Sequence, residues 1–187
     1  MMTGKMIVIC APSGTGKSTL LNRLKSEYPE LEWSVSCTTR STRQGEVNGK
    51  DYHFISKDDF EAQIAKDEFI EWAKVHSNYY GTSKNFVDEG LAKGKKMLFD
   101  LDVQGADSMK RIYGAEAHII FIEPPSVEEL ESRLRRRATD DELVIMERVQ
   151  NARNELRRKN DFDHLLLNDD VEVAYVKLRT IVERILK

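Results

Sequence analysis

The sequence predicts an α/β fold, a parallel sheet flanked by helices with a small mixed α/β lobe set into it. Three observations point there. A glycine-bearing stretch, Ala11-Pro12-Ser13-Gly14-Thr15-Gly16-Lys17-Ser18, joins an apolar β-branched run to a leucine-rich helical pattern. Further on, apolar runs of strand length alternate with helical patterns, the rhythm of a parallel sheet whose crossovers are helices. Residues 34–85 interrupt that rhythm with polar loops and short alternating segments.

Met6-Ile7-Val8-Ile9-Cys10 reads as a buried parallel strand. Leu20, Leu21 and Leu24 share one face of the next helix, which ends near Tyr28 because Pro29 cannot continue it. Trp33-Ser34-Val35-Ser36 reads as a short strand, followed by a hydroxyl-rich segment carrying Arg40 and Arg43. Asn48-Gly49 marks a turn, and Asp51-Tyr52-His53-Phe54-Ile55 alternates as a half-buried strand does. Ser56 with Asp59 caps a helix through residue 65. Residues 69–75 alternate again, with Glu71 between apolar neighbours, and Asn78-Tyr79-Tyr80-Gly81-Thr82 reads as the next turn. The lobe is thus expected to hold antiparallel strands and one helix.

Beyond it a helix over residues 84–93 stops at Gly94. Residues 97–102 form a buried strand ending in carboxylates, then a helix runs to Tyr113, and residues 118–122 make another strand before Pro124-Pro125. Ser126 with Glu129, and Thr139 with Glu142, are capping boxes for two helices, the first reaching Arg137. Residues 164–168 are the last strand. The final helix, over residues 171–186, carries Val173, Val176, Leu178, Ile181, Val182 and Ile185 as its expected buried stripe. Ligands belong at the carboxyl ends of such strands.

At 187 residues the chain is one domain by size, and 40% apolar with 33% charged residues describes a soluble globular protein. A net charge of −3 argues against nucleic acid as the main partner, despite local basic clusters. No apolar run reaches membrane-spanning length and no signal-peptide core is visible. Cys10 and Cys37 form no CxxC pair, so the expectation is a cytoplasmic protein with two free thiols. His53, His76, His118 and His164 lack metal-ligand spacing and are read as structural or exposed.

The chemistry starts at the glycine-bearing stretch. Strand, glycine turn and helix are the context that a phosphate-binding loop requires. Gly14 and Gly16 let successive N–H groups converge on a polyphosphate, and the helix N-terminus adds its partial positive charge. Lys17 would reach the β- and γ-phosphates, and the Ser18 hydroxyl would ligate Mg²⁺. Ala11 stands where the motif has its first glycine, which a residue of ordinary φ tolerates. A triphosphate needs more cations than Lys17 alone. Arg40 and Arg43 offer one set; Arg133, Arg135, Arg136, Arg137, Arg148 and Arg153 offer another. Composition alone would make the second set a solvated helix face, but arginine is the planar bidentate fork for phosphate.

Over essentially its whole length the chain resembles the guanylate kinase family. The likeness rests on residues 11–19, Ser36-Cys37-Thr38-Thr39-Arg40 with Arg43-Gln44-Gly45-Glu46, Gly49-Lys50-Asp51-Tyr52, Phe69-Ile70-Glu71-Trp72, Tyr79-Tyr80-Gly81, Asp100-Leu101-Asp102-Val103-Gln104-Gly105 and Asn168-Asp169-Asp170. It implies a P-loop core (residues 1–33, 86–125 and 158–187), a nucleoside-monophosphate-binding lobe (34–85) and a helical lid (126–157). It further implies transfer of the γ-phosphoryl group of Mg-ATP to GMP, with dGMP as a further acceptor, in purine metabolism. By the same resemblance Ala11, Pro12, Ser13, Gly14, Thr15, Gly16, Lys17, Ser18 and Thr19 would bind ATP, with Asn168 near the adenine. Arg40, Arg43, Tyr52 and Tyr80 would hold the GMP phosphate, while Ser36, Glu71 and Thr82 would read guanine. Asp102 would lie near GMP or, through water, the Mg²⁺ shell; Arg133, Arg137 and Arg148 would close over the moving phosphoryl group together with Lys17. Thr82 stands where the family often has Ser.

The residues agree with this chemistry on their own terms. Guanine presents N1–H and N2–H₂ side by side, and a carboxylate such as Glu71 accepts both, whereas adenine N1 would face it with a lone pair. No general base is required, because a phosphate monoester is mostly dianionic at neutral pH. Catalysis reduces to alignment and charge neutralisation under a cover that excludes water. In an open state the lid arginines are expected to stay solvated and to repel one another. Two alternatives remain at this point: a nucleoside monophosphate kinase of other base preference, and a non-catalytic module binding phosphorylated peptide through Arg40, Arg43 and the tyrosines.

Overall fold

The computed structural model describes residues 4–75, 77–136 and 141–187. The chain begins with β1 (Lys5–Cys10), α1 (Lys17–Glu27) and β2 (Glu32–Trp33). It continues through β3 (Cys37–Thr38), β4 (His53–Phe54), α2 (Lys57–Ala65), β5 (Phe69–Val75) and β6 (Asn78–Ser83). Next come α3 (Lys84–Ala92), β7 (Lys96–Leu101), α4 (Val103–Tyr113) and β8 (Ala117–Glu123). Last are α5 (Val127–Arg136), α6 (Glu142–Leu156), β9 (His164–Leu167) and α7 (Val171–Leu186). The fold class is the one expected: a parallel five-stranded sheet, in the order β2-β7-β1-β8-β9, and a separate four-stranded sheet, β4-β3-β6-β5.

β1 is central because its side chains are apolar on both faces. Ile7 and Ile9 pack with leucines of α1 and with α7, while Met6, Val8 and Cys10 pack with α3 and α4. Two smaller apolar clusters stand apart from these layers. One joins Leu130 and Leu134 of α5 to Ile145, Val149 and Ala152 of α6; the other joins Cys37, Phe60 and Phe69 beside the small sheet.

The capping signals act as the side-chain chemistry requires. Tyr28 ends α1, the Ser56 hydroxyl accepts from Asp59 N–H, and the Ser126 hydroxyl accepts from Glu129 N–H. Thr139 lies outside the described residues, as does Arg137; α6 opens at Glu142 with Asp141 as its N-cap.

Four expectations are corrected. β2 stops at Trp33: Ser34 N–H makes a last bond to Leu98 O, and the chain then leaves for the second sheet. Residues 78–82 are strand β6, running antiparallel to β5, with Asn78 opposite Val75. Gly81 reads as a turn residue in sequence but serves close packing, since a Cβ there would stand 2.9 Å from Glu71 O and 3.0 Å from the Phe69 ring. β3 and β4 pair in parallel, because the long loop between them returns the chain in its original direction. On α7 the buried face is Ala174, Tyr175, Leu178, Val182 and Ile185, leaving Val173 and Val176 about half exposed. Tyr175 tolerates burial because its hydroxyl pairs with Glu27 and the Arg23 guanidinium lies 4.0 Å over its ring.

Candidate functional site

The loop after β1 enters α1 through two left-handed glycines, Gly14 at φ 93° and Gly16 at φ 87°. The Thr15 hydroxyl donates back to Pro12 O at 3.0 Å and closes the turn. No side chain caps the helix at Gly16, so its first amides open onto a cavity of about 320 Å³ lined by residues 11–18, Asp102 and Glu155. This is an anion-binding helix terminus. Lys17 rests against the end of β7, its Nζ 2.9 Å from Leu101 O and 2.5 Å from Asp100 Oδ1. Parallel pairing of β1 with β7 sets this up, because Cys10 lies beside Leu101 just before the loop begins.

A second cavity, of about 540 Å³, runs between β5 and α4. Glu71, Asp102, Gln104, Lys84 and Arg111 are among its walls. Glu71 pairs across the strands with Thr82, whose fully buried hydroxyl donates to Glu71 Oε1 at 2.6 Å. Burial pushes the Glu71 carboxyl above its ordinary value, and the charge of Asp102 pushes the same way. Asp102 lines both cavities and also caps α4, accepting from Gly105 N–H at 2.7 Å. Ser36 immediately precedes β3, whose Cys37 lies opposite Gly81, the chain neighbour of Thr82.

Arg40 and its neighbours form a separate group on the same small sheet. The Arg40 guanidinium makes a forked pair with Glu46, at 3.0 and 2.7 Å, and lies 5.4 Å over the Tyr52 ring. Tyr80 stacks edge-on to Tyr52 at 5.9 Å, and the hydrogen-bonded Glu46 carboxylate raises the Arg40 pKa above its ordinary value. Glu46 also accepts from Arg43 N–H at 2.7 Å, and Arg40 followed by this amide holds the Glu46 carboxyl down to about 2. Arg43 itself is exposed.

Arg133, the lid arginine on α5, is ion-paired and only 23% exposed at its side chain, which corrects for that residue the expectation of solvated, mutually repelling charges. Arg133 pairs with Glu129 at 2.8 Å and reaches Thr15 O at 3.4 Å and Asn168 O at 3.3 Å. Arg135 is held by Glu131 and Glu142, and Arg136 by Glu129. The i,i+4 spacing along α5, present in the sequence, makes the Arg133–Glu129 and Arg135–Glu131 pairs, whereas Arg135–Glu142 and Arg136–Glu129 span seven residues. Arg148 is half-buried on α6. Glu155 lies two turns further along the same helix face and walls the P-loop cavity. Burial, then the Asp102 charge, raises its carboxyl pKa, offset by Lys17. Asn168 is buried, with its amide against Thr15 O.

Three residues of this constellation are not singled out by sequence reasoning: Asp100, Glu46 and Glu155. Glu46 had a signal, standing in a polar stretch three residues from Arg43, and Asp100 had one as a carboxylate near the end of a buried strand. Glu155 had none, since only the fold brings the end of α6 to the P-loop. Among the described residues no cluster of His, Cys, Asp and Glu could hold a metal by itself, and no helix is long and apolar enough to cross a membrane.

Comparison with known proteins gives one consistent result. A family model described as guanylate kinase matches residues 3–185. A guanylate kinase from Agrobacterium fabrum is 47% identical over 180 residues, covering 96% of this chain and 82% of that protein. One from Nitratidesulfovibrio vulgaris is 49% identical over 177 residues, covering 95% and 85%. The crystal structure of guanylate kinase from Anaplasma phagocytophilum superposes with a TM-score of 0.69 at 31% identity, over 97% of this chain and 85% of that one.

Proposed function

The chain belongs to the guanylate kinase family, and we infer that its P-loop cavity takes ATP while the cavity beside Glu71 takes GMP. It is an ATP:GMP phosphotransferase. The observation that carries the site assignment is the Glu71–Thr82 pair, a buried hydroxyl orienting a carboxylate into a cavity that shares Asp102 with the P-loop.

In this reading the amides of residues 14–18 and the α1 terminus receive the β- and γ-phosphates, and Lys17 swings from Asp100 to meet them. Glu71 accepts from guanine N1–H and N2–H₂, with Ser36, Thr82 and Asp102 around the ring. Arg40, Arg43, Tyr52 and Tyr80 hold the GMP phosphate, which leaves its free oxygen facing the γ-phosphorus. Arg133, Arg148 and Arg137, the last outside the described residues, neutralise charge on the group in flight. Residues 34–85 act as the GMP lobe and 126–157 as the lid on a core of residues 1–33, 86–125 and 158–187; their separate apolar clusters support that division.

Mg²⁺ fits this donor set. Ser18 at the start of α1 and Asp102 across the cavity offer a few oxygens rather than a cage, which suits an ion that keeps waters and phosphate oxygens. When bound, it would supply charge neutralisation between the β- and γ-phosphates. The buried free thiols Cys10 and Cys37 support a reducing cytoplasmic setting.

Direct product analysis tests the reading: Mg-ATP and GMP should give ADP and GDP in equal amounts, and turnover should stop when the metal is chelated. ADP without GDP would overturn it. A further expectation arises at Arg40. Glu46→Gln removes the carboxylate that orients this guanidinium, so KM for GMP should rise about three- to tenfold with KM for ATP unchanged. Steady-state kinetics with each substrate varied would check it, and an unchanged KM for GMP would separate Arg40 from the phosphate.

A further inference from the structure

Asn168 follows the last strand of the core sheet, yet its side chain is engaged with the P-loop. The amide Nδ2 donates to Thr15 O at 2.6 Å, and the residue is 5% exposed. Its own N–H donates to Glu123 O at 2.9 Å, which ties it to β8. Arg133 Nη1 spans the two carbonyls, 3.4 Å from Thr15 O and 3.3 Å from Asn168 O. Gly16 is fitted to this arrangement, because a Cβ there would stand 2.7 Å from Asn168 Nδ2.

The carbonyl so held lies between the two left-handed glycines. A loop that converges its N–H groups on an anion must turn its carbonyls away, since an inward carbonyl would set partial negative charge against the phosphates. Thr15 is the residue where the backbone is free to choose, flanked as it is by Gly14 and Gly16. The buried Asn168 amide, with the half-buried Arg133 guanidinium beside it, removes that choice before any ligand arrives.

We propose that Asn168 is a positioning residue for the P-loop: it anchors the Thr15 carbonyl away from the phosphates and thereby sets affinity for the polyphosphate, whatever base is attached. This rests on reading the loop as the triphosphate site. Arg133 shares the task, so helix α5 and the end of β9 act on the loop through one oxygen atom.

Calorimetric titration of the full chain with Mg-ATP, with magnesium tripolyphosphate and with GMP tests it. Asn168→Ala should weaken ATP and tripolyphosphate by the same factor, about tenfold, and leave GMP affinity unchanged. Asn168→Asp keeps the shape but turns a carboxylate towards a carbonyl, so it should weaken both polyphosphates further. A loss confined to ATP would make Asn168 a reader of adenine and overturn the proposal, as would unchanged binding of both. A parallel loss of GMP affinity would show a merely structural role and overturn it as well. Wild-type protein that binds neither polyphosphate would overturn the site reading and this proposal together. In the wild-type protein, independent of any variant's folding, the Asn168 side-chain amide resonances should respond to tripolyphosphate as they do to ATP. A response to ATP alone would again overturn it.

Discussion

Lys17→Met should lower kcat by about 10²-fold or more while the protein stays folded. Methionine keeps most of the aliphatic stem but brings no charge to the phosphates. The ion pair it removes is modest for stability: Asp100 is 44% exposed at its side chain and regains water, so the cost should not exceed about 1 kcal/mol. The Leu101 carbonyl loses the Lys17 donor, a further cost on the order of 1 kcal/mol. Thermal unfolding and single-turnover kinetics on the same preparation separate the two effects. Near wild-type turnover in a folded variant would remove the P-loop from the mechanism, and a collapsed melting temperature would make Lys17 structural.

Glu71→Gln should raise KM for GMP about 10- to 100-fold, with a smaller change in kcat. The amide keeps one acceptor but turns an N–H₂ towards guanine's donors, and the Thr82 hydroxyl beside it stays in place. The pH dependence has a definite sign. Burial raises the Glu71 pKa in the free protein, so its carboxylate form is present above that raised value and is lost as pH falls through it. GMP affinity should therefore fall with decreasing pH at values above the ordinary carboxylate range. Titration of the GMP phosphate contributes to both proteins alike, so the ratio of wild-type to variant KM isolates Glu71. A ratio flat with pH, or a variant with ordinary KM, would mean that Glu71 does not read the base.

How legible this was depended on whether the chemistry was local. The P-loop could be read from eight consecutive residues, because glycine conformations, helix terminus and lysine all act within one turn of chain. The parallel core followed from fully apolar strands such as β1, whose burial on both faces leaves no polar alternation to misread. The small lobe was harder. Gly81 is a strand glycine that lets two strands close around Glu71, and sequence cannot distinguish that from a turn glycine. The face of α7 was misjudged because Tyr175 is burialworthy only with Glu27 and Arg23 beside it, partners about 150 residues away. For the same reason the contact of Asn168 with Thr15 O and the place of Glu155 beside the P-loop have no signature in the sequence. Each acquires its neighbours only when β9 and α6 return to the P-loop.

The central claim is that a carboxylate held by Thr82 selects guanine for phosphorylation at the neighbouring P-loop. Its most direct test is the rate of ATP consumption with GMP, AMP, UMP and dTMP offered separately at equal concentration. The account predicts rapid ADP formation with GMP and rates at least about 100-fold lower with the other three, since each sets an acceptor or a missing donor against Glu71. Comparable rates with GMP and AMP, or turnover favouring a pyrimidine, would contradict it.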